Sequence, residues 1–194
     1  RWPVIISDCK IKIKQLKFEK DSKLQLIDEE AFFASSIEKK IRIPSQVTKI
    51  EYNSFAYAFF SWIEFPDDSK LQIIGEYAFS GSAIESIKIP SNVIQIEDGS
   101  FNCCERLYNV EFLDDSKLQI IGNEAFYNSA IETFRVPSQV RKIGNYAFAN
   151  CNNLMIIEIN DELKIESIAP DFLDYSETAI LMISTCLNLN FIFN

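Results

Sequence analysis

Chemistry in this chain would have to start from its thiols and paired carboxylates. Cys103 and Cys104 are adjacent, Cys151 follows, and Cys9 and Cys186 stand near the ends. A catalytic thiol needs a base to take its proton, and the sequence contains no histidine. Ser-His-Asp and Cys-His arrangements are therefore ruled out. Zinc sites of the Cys/His kind are equally poorly supplied, because no C-x-x-C pair occurs either. The pairs Asp67–Asp68 and Asp114–Asp115 could suggest acid–base work or Ca²⁺. They recur at one loop position and lack the alternating ligands of a calcium loop, so they read as turn formers. Gly75, Gly81, Gly99, Gly122 and Gly144 are isolated, and no phosphate-cradling loop can be built from them. The expectation is a protein with no catalytic, cofactor-binding or metal-ligating residues.

The cysteines lead to the organisation instead. Cys104 and Cys151 are 151 − 104 = 47 residues apart. The same interval separates three copies of one segment: FEKDSKLQLIDEEAFFASSIE from Phe18, FPDDSKLQIIGEYAFSGSAIE from Phe65 and FLDDSKLQIIGNEAFYNSAIE from Phe112. Between them lie segments of a second kind, beginning KIRIPSQV at Lys40, SIKIPSNV at Ser86 and TFRVPSQV at Thr133. Both kinds share an apolar-x-apolar triplet, a turn, Leu or Val-x-x-Ile, and then a Phe. That Phe recurs as Phe32, Phe55, Phe79, Phe101, Phe126, Phe148 and Phe172, at steps of 22 to 25 residues. The unit is about 23 residues in two alternating subtypes, which is a solenoid period.

Seven parallel strands are expected, at Leu16–Phe18, Ile41–Ile43, Ile63–Phe65, Ile87–Ile89, Val110–Phe112, Phe134–Val136 and Ile157–Ile159. In each triplet the outer residues point inward and the middle one outward. Pro44, Pro90 and Pro137 end the strand in one subtype, and the paired aspartates end it in the other. The repeated Phe should stack into a buried spine. The slot filled by Ser35, Ala58, Ser82, Cys104, Ser129 and Cys151 should be small and buried, with both cysteines free. The outward middle positions read Lys17, Arg42, Glu64, Lys88, Glu111, Arg135, Glu158. From Arg42 on the sign alternates, which predicts an ion ladder that fixes register more than it stabilises.

Composition closes off several partners. The 194 residues are 47% hydrophobic and carry a formal charge of −9. Nucleic acid and anionic membranes demand a dense positive patch; only Lys10, Lys12, Lys14 and Lys17 cluster, and a solvated strand face accounts for them. No apolar run is long enough for a membrane-spanning helix. The chain starts at Arg1 with no signal-peptide pattern and reads as a processed or excised piece. Residues 1–9 are expected to form an N-terminal cap that includes Trp2, and residues 160–194 a degenerate terminal turn. Open solenoid ends make an end-to-end homodimer an expectation.

The segment FRVPSQVRKIGNYAFANCNNL at Phe134–Leu154 closely resembles the BspA-type leucine-rich repeat, as do Ile87–Leu107, Leu71–Ile84 and Leu118–Ile131. The DDSKLQIIG form is similar to surface-antigen arrays of a parasitic protist. Glu51 and Glu97 depart from the pattern by replacing its Gly, and the segment after Ile159 departs from it more widely. The resemblance implies a single leucine-rich-repeat solenoid over 1–194, right-handed and horseshoe-like. It would be mainly β, with a parallel sheet on the concave face, short or helical turns behind it, and about seven turns. It also implies a cell-surface or secreted protein that adheres to host cells or matrix proteins, and it supplies no catalytic residues.

Specificity should then lie where the copies differ. Ser61–Trp62, Tyr108–Asn109 and Met155–Ile156 flank the strands of the second subtype, and Glu64 and Glu111 are their outward charges. Trp and Tyr are common anchors of protein interfaces. The expected partner-binding residues are Ser61, Trp62, Glu64, Tyr108, Asn109, Glu111 and Met155. The alternative is a structural spacer that displays another domain.

Overall fold

The computed structural model describes residues 12–13, 16–19, 21–37, 40–159, 166–174 and 180–183. The expected cap at Trp2–Cys9, the residues Lys10, Lys14, Ile165, Cys9 and Cys186, and most of the apolar C-terminal run lie outside them. In chain order the first eight strands are β1 (Lys12–Ile13), β2 (Leu26–Ile27), β3 (Ser36–Ile37), β4 (Lys40–Arg42), β5 (Lys49–Ile50), β6 (Trp62–Glu64), β7 (Ile73–Ile74) and β8 (Ser86–Ile89). Then follow β9 (Gln95–Ile96), β10 (Asn109–Phe112), β11 (Ile120–Ile121), β12 (Thr133–Arg135), β13 (Lys142–Ile143), β14 (Ile156–Ile159), β15 (Ser167–Ile168) and β16 (Ile180–Ile183). All pairings are parallel, and no helix occurs among the described residues. The molecule is a parallel-sheet β-solenoid of about six turns.

Its core is the set of repeated apolar slots. Phe55, Phe79, Phe101, Phe126 and Phe148 are fully buried. Successive rings from Phe32 to Phe148 stack with centroids 5.0–5.4 Å apart and planes within 9°. One such ring per turn joins each turn to the next, so burial is shared between neighbours rather than complete within one unit. Phe134 adds a crossing ring, 4.6 Å from Phe148 and 5.3 Å from Phe126.

A second ladder runs through the whole array. The two-residue strands β2, β5, β7, β9, β11, β13 and β15 form one continuous seven-stranded sheet. Each contributes one buried isoleucine, from Ile27 to Ile168. These are the Ile of Leu/Val-x-x-Ile, recognisable in the sequence as core but too short to show strand alternation.

Behind it, the loop around each Phe carries two left-handed residues per turn. One column holds Glu30, Asn53, Tyr77, Gly99, Glu124 and Tyr146; the other holds Ala34, Tyr57, Gly81, Cys103, Asn128 and Asn150. This geometry lets alternate N–H groups point forward. Asn53, Phe55 and Tyr57 donate to the carbonyls of Glu76, Ala78 and Ser80 in the next turn. The intervening N–H groups of Ser54, Ala56 and Ala58 close tight turns on Glu51, Asn53 and Phe55. The buried backbone is thus satisfied without strands. Gly81 and Gly99 each lie under the tyrosine of the preceding turn: an added Cβ would stand 2.6 Å from the Tyr57 ring and 2.3 Å from the Tyr77 ring.

The Glu51 and Glu97 departures have a local compensation. At Gly75 an added Cβ would lie 2.6 Å from the Ile50 carbonyl oxygen, so glycine permits a close approach of turns. Where Glu stands instead, the residue three later is Ser rather than Ala. Ser100 Oγ donates to the Glu97 carbonyl at 2.6 Å and reaches those of Gly75 and Ile74 at 3.0 and 3.2 Å. Ser54 does the same on Glu51, Asp28 and Ile27. Ser100→Ala is expected to cost about 1–2 kcal/mol in urea unfolding. Adding Glu97→Gly should recover part of that loss, because it restores the Gly/Ala pairing found at Gly75/Ala78, Gly122/Ala125 and Gly144/Ala147. Additive losses in the double-mutant cycle would refute the coupling.

The front face differs from the expected continuous sheet. The four-stranded order is β10-β8-β6-β4, and β12-β14-β16 form a separate sheet. Steps from a proline-type strand to the aspartate-type strand after it are fully laddered, as β4–β6, β8–β10 and β12–β14. The reverse steps open. β6 and β8 share the single pair Trp62↔Ser86, no register pair joins β10 to β12, and Leu16–Phe18 forms no strand beside β4. Only the last such step, β14–β16, is complete among the described residues. The two loop types also differ in length. Phe65 to Leu71 spans 71 − 65 = 6 positions against 47 − 43 = 4 from Ile43 to Val47. Both bond to the turn before, the shorter one through Asn92 Nδ2, which donates to the Ser69 carbonyl at 2.9 Å. Lys70 N–H donates to the Ser45 carbonyl and its Nζ to Gln46 Oε1. Lys117 repeats this on Ser91 and Asn92, and Ser91 Oγ donates to Asp115 at 2.6 Å. The paired aspartates are therefore turn residues. No group of three or more metal-ligating side chains occurs among the described residues.

Candidate interaction surface

The outward side chains of the front face form two columns. Lys40, Trp62, Ser86 and Asn109 align by register in one sheet and Thr133 with Ile156 in the other, as do Arg42 with Glu64, Lys88 with Glu111 and Arg135 with Glu158. The charge column is in the expected register, but its contacts differ from a straight ladder. Glu64 takes Lys40, two residues along from its register partner Arg42, as its ion-pair partner. That hydrogen bond from Lys40 is the main cause holding the Glu64 carboxyl below its ordinary value, with the Lys40 and Arg42 charges adding to it. Lys88 and Glu111 face directly at 3.9 Å. Because alternate steps are open, each charge is laddered to one neighbour and not to two.

Trp62 is 46% exposed, Tyr108 45% and Met155 51%. Trp62 stands on β6 and points away from the buried Ile63. Tyr108 and Met155 occupy the position before the strand, one column over, where Ser61, Glu85 and Glu132 also lie; the N–H groups of Glu85, Tyr108, Glu132 and Met155 donate in turn to the carbonyls of Ser61, Glu85, Tyr108 and Glu132. Trp62 and Tyr108 are therefore two turns and one column apart, separated by Glu85 and Ser86. Ser61 Oγ is committed to Glu85 Oε1 at 3.0 Å. Asn109 and Glu111 are exposed on β10, and Glu64 is half-buried on β6. The front face thus brings these positions onto one surface without packing them into one cluster.

Sequence reasoning missed exposed apolar residues elsewhere. Tyr57 and Phe59 are more exposed than Trp62 or Tyr108, and Tyr52 and Leu113 also face solvent. Tyr57 meets Phe33 edge-on at 5.7 Å, and Tyr52 meets Tyr77 at 6.2 Å. The signal was available in the columns: Tyr57 stands where other turns carry Gly, Cys, Asn or Ala.

Two of the three described thiols are buried in the small-residue slot. Cys104 is fully buried; its Sγ donates to the Phe79 carbonyl at 3.0 Å and lies 3.7 Å from Ser82 Oγ. Burial pushes this thiol up to about 12. Cys151 repeats the arrangement on Phe126 and Ser129 and is raised by burial as well. Cys103, Cys104 and Cys151 are free.

A family model for the BspA type leucine rich repeat region matches in six copies, over residues 25–155 and 72–192. The chain belongs to the BspA-type leucine-rich repeat family. No curated protein matches this repeat domain in sequence. Solved structures similar to it include the following three. The pneumococcal vaccine antigen PcpA is 17% identical, with 77% of this chain and 51% of that one covered at a TM-score of 0.42. A leucine rich cell surface protein from Faecalibacterium prausnitzii is 16% identical, with 93% and 76% covered at 0.38. A leucine-rich repeat protein from Eubacterium ventriosum is 15% identical, with 87% and 77% covered at 0.40. The BspA-type chain spans about half the length of the pneumococcal antigen.

Proposed function

We propose that this chain is a non-catalytic protein-binding module of a cell-surface or secreted repeat protein. It adheres to host or matrix protein through the front face that carries Trp62, Glu64, Tyr108, Asn109, Glu111 and Met155. The observation that carries the reading is the exposure of Trp62, Tyr108 and Met155 on one face whose other outward positions are mostly polar. A large side chain with half its surface in water gains most when a partner covers it. The net charge of −9 favours basic or neutral protein surfaces over nucleic acid. Membership of the BspA-type leucine-rich repeat family supports placement at the cell surface or outside the cell.

The test is binding of the full chain to immobilised basement-membrane extract and to cultured epithelial cells. Each anchor, if central, contributes about 2 kcal/mol, so Trp62→Ala with Tyr108→Ala should weaken binding at least about a hundredfold. Neither side chain belongs to the core, so circular dichroism should be unchanged. Undiminished binding by the double variant, or none by the wild type, overturns the reading; the latter favours a spacer.

A further inference from the structure

The outward charges of the front face alternate in sign over an even number of turns. From Arg42 they run Glu64, Lys88, Glu111, Arg135 and Glu158, one on each front strand from β4 to β14. Read backwards, such a column has every sign reversed. A second copy laid face to face, with its solenoid axis reversed, therefore meets it with opposite charges throughout. Arg42 then faces Glu158, Glu64 faces Arg135 and Lys88 faces Glu111, each pair occurring twice about a two-fold axis. Running the copy in the same direction along this column, or shifting it by one turn, sets like charges against each other.

We propose that the front face binds a second copy of this chain, antiparallel, about a two-fold axis between β8 and β10. The pairing goes beyond the protein-binding reading above and does not rest on it. Both use one face, so self-association and capture of another protein exclude each other. The rest of the face obeys the same reversal. Each aspartate-type turn meets a proline-type turn: Asp67 and Asp68 face the Ser138 turn, and Asp114 and Asp115 the Ser91 turn. Beside the charges, Trp62 comes opposite Thr133, Ser86 opposite Asn109 and Lys40 opposite Ile156. At the edge, Glu85 comes opposite Tyr108 and Ser61 opposite Glu132, so no like charges meet in these columns. The laddered steps β4–β6, β8–β10 and β12–β14, and the open steps between them, are also symmetric about β8–β10. The turns advance evenly across both kinds of step, by 5.1–5.4 Å along the spine from Phe55 to Phe148. At the β10–β12 opening the Glu132 N–H still reaches the Tyr108 carbonyl, which keeps Arg135 level with Glu111. The charges are available to a partner. Arg42, Arg135 and Glu158 form no ion pair among the described residues, and Lys88 and Glu111 are both more than half exposed. The front strands are only three or four residues long from β4 to β14, so the contact is small and the dimer reversible.

The experiment is sedimentation velocity of the full chain over about 1–200 µM. The wild type should pass from monomer to dimer within that range. Lys88→Glu sets a carboxylate against Glu111 at two symmetry-related contacts, and Glu111→Lys sets an ammonium against Lys88 in the same way. Each variant alone should associate at least about tenfold more weakly than the wild type. Mixed one to one, the two should form a heterodimer about as readily as the wild type pairs with itself. In that heterodimer the introduced charges meet each other at one contact, and the native Lys88–Glu111 pair is kept at the other. Recovery in the mixture also shows that both variants fold. A wild type that stays monomeric across the range overturns the proposal, as does a mixture that stays monomeric. Equal association of the wild type and Lys88→Glu places the contact at the solenoid ends and overturns it too. Adhesion is tested on Trp62 and Tyr108 with other ligands, so either reading can fail without the other.

Discussion

Replacing Phe101 by Ala is expected to cost about 3–5 kcal/mol of stability. In thermal unfolding followed by circular dichroism, the midpoint should fall by roughly 6–20 °C for a chain of this size. The ring is fully buried and lies between two others. Phe79 stacks on one side at 5.1 Å and 4°, and Phe126 on the other at 5.2 Å and 1°. Removing it opens a void in the middle of the spine and interrupts two interfaces between turns at once. A solenoid has no other source of long-range cooperativity than such interfaces. The comparison is Glu111→Ala. Its partner Lys88 is 3.9 Å away and both side chains are more than half exposed, so the change should stay within about 0–1 kcal/mol. Equal losses from the two substitutions would show that the stacked rings do not hold the array together.

The second large effect is alkaline. Cys104 is fully buried and its thiol is raised from 9.0 to about 12 by desolvation. A group whose folded value is raised holds its proton more tightly in the folded state. Its stabilising contribution is therefore complete below the unfolded value and is lost as pH rises from about 9 towards 12. At pH 11 the loss from this one thiol should be roughly 2–3 kcal/mol relative to neutral pH. Cys104→Ala should remove that part of the pH dependence, and the slot tolerates the change because Ala58 fills it in another turn. The measurement is urea unfolding of both proteins at pH 8 and pH 11. Tyrosines and lysines titrate in both, so the difference between the two slopes isolates the thiol. Parallel slopes would mean that the thiolate is accommodated without cost. In the same pH range, alkylating reagents should modify Cys103, which is partly exposed, well before Cys104.

Much of this fold could be read from residue spacing, for a definite reason. In a solenoid each slot is buried by the same slot of the next turn, so a core residue reappears at the repeat period. Phe32 to Phe172 announced the spine, and the Ser/Ala/Cys slot announced a small buried column; both are as expected. Front strands formed at six of the seven expected places. The seventh, Leu16–Phe18, did not, because it stands at a step where the sheet is open. The second ladder was visible only as a line of isoleucines, since two residues cannot show an alternation. The left-handed columns were partly visible in Asn53, Asn128, Asn150, Gly81 and Gly99. Tyr57, Tyr77 and Cys103 hold the same backbone conformation with no such signal, because the hydrogen bonds to adjacent turns impose it.

The candidate surface was less legible. Exposure of Trp62, Tyr108 and Met155 followed from their place beside the strands, whereas the exposure of Tyr57 and Phe59 depended on which loop positions turn outward. The sequence by itself determined the period, the two subtypes and the apolar columns, because burial between identical turns constrains residue type at every repeat. Only the tertiary structure decided which neighbour each turn leans on. The aspartate-type loop, two residues longer, is tied to the turn before through Lys70 and Lys117, and the front sheet opens at the step that follows it at β6–β8 and β10–β12. The same is true of the charges. Alternation along the column was written in the sequence, but whether Glu64 meets Arg42 or Lys40 depended on the reach and angle of side chains across a particular pair of strands.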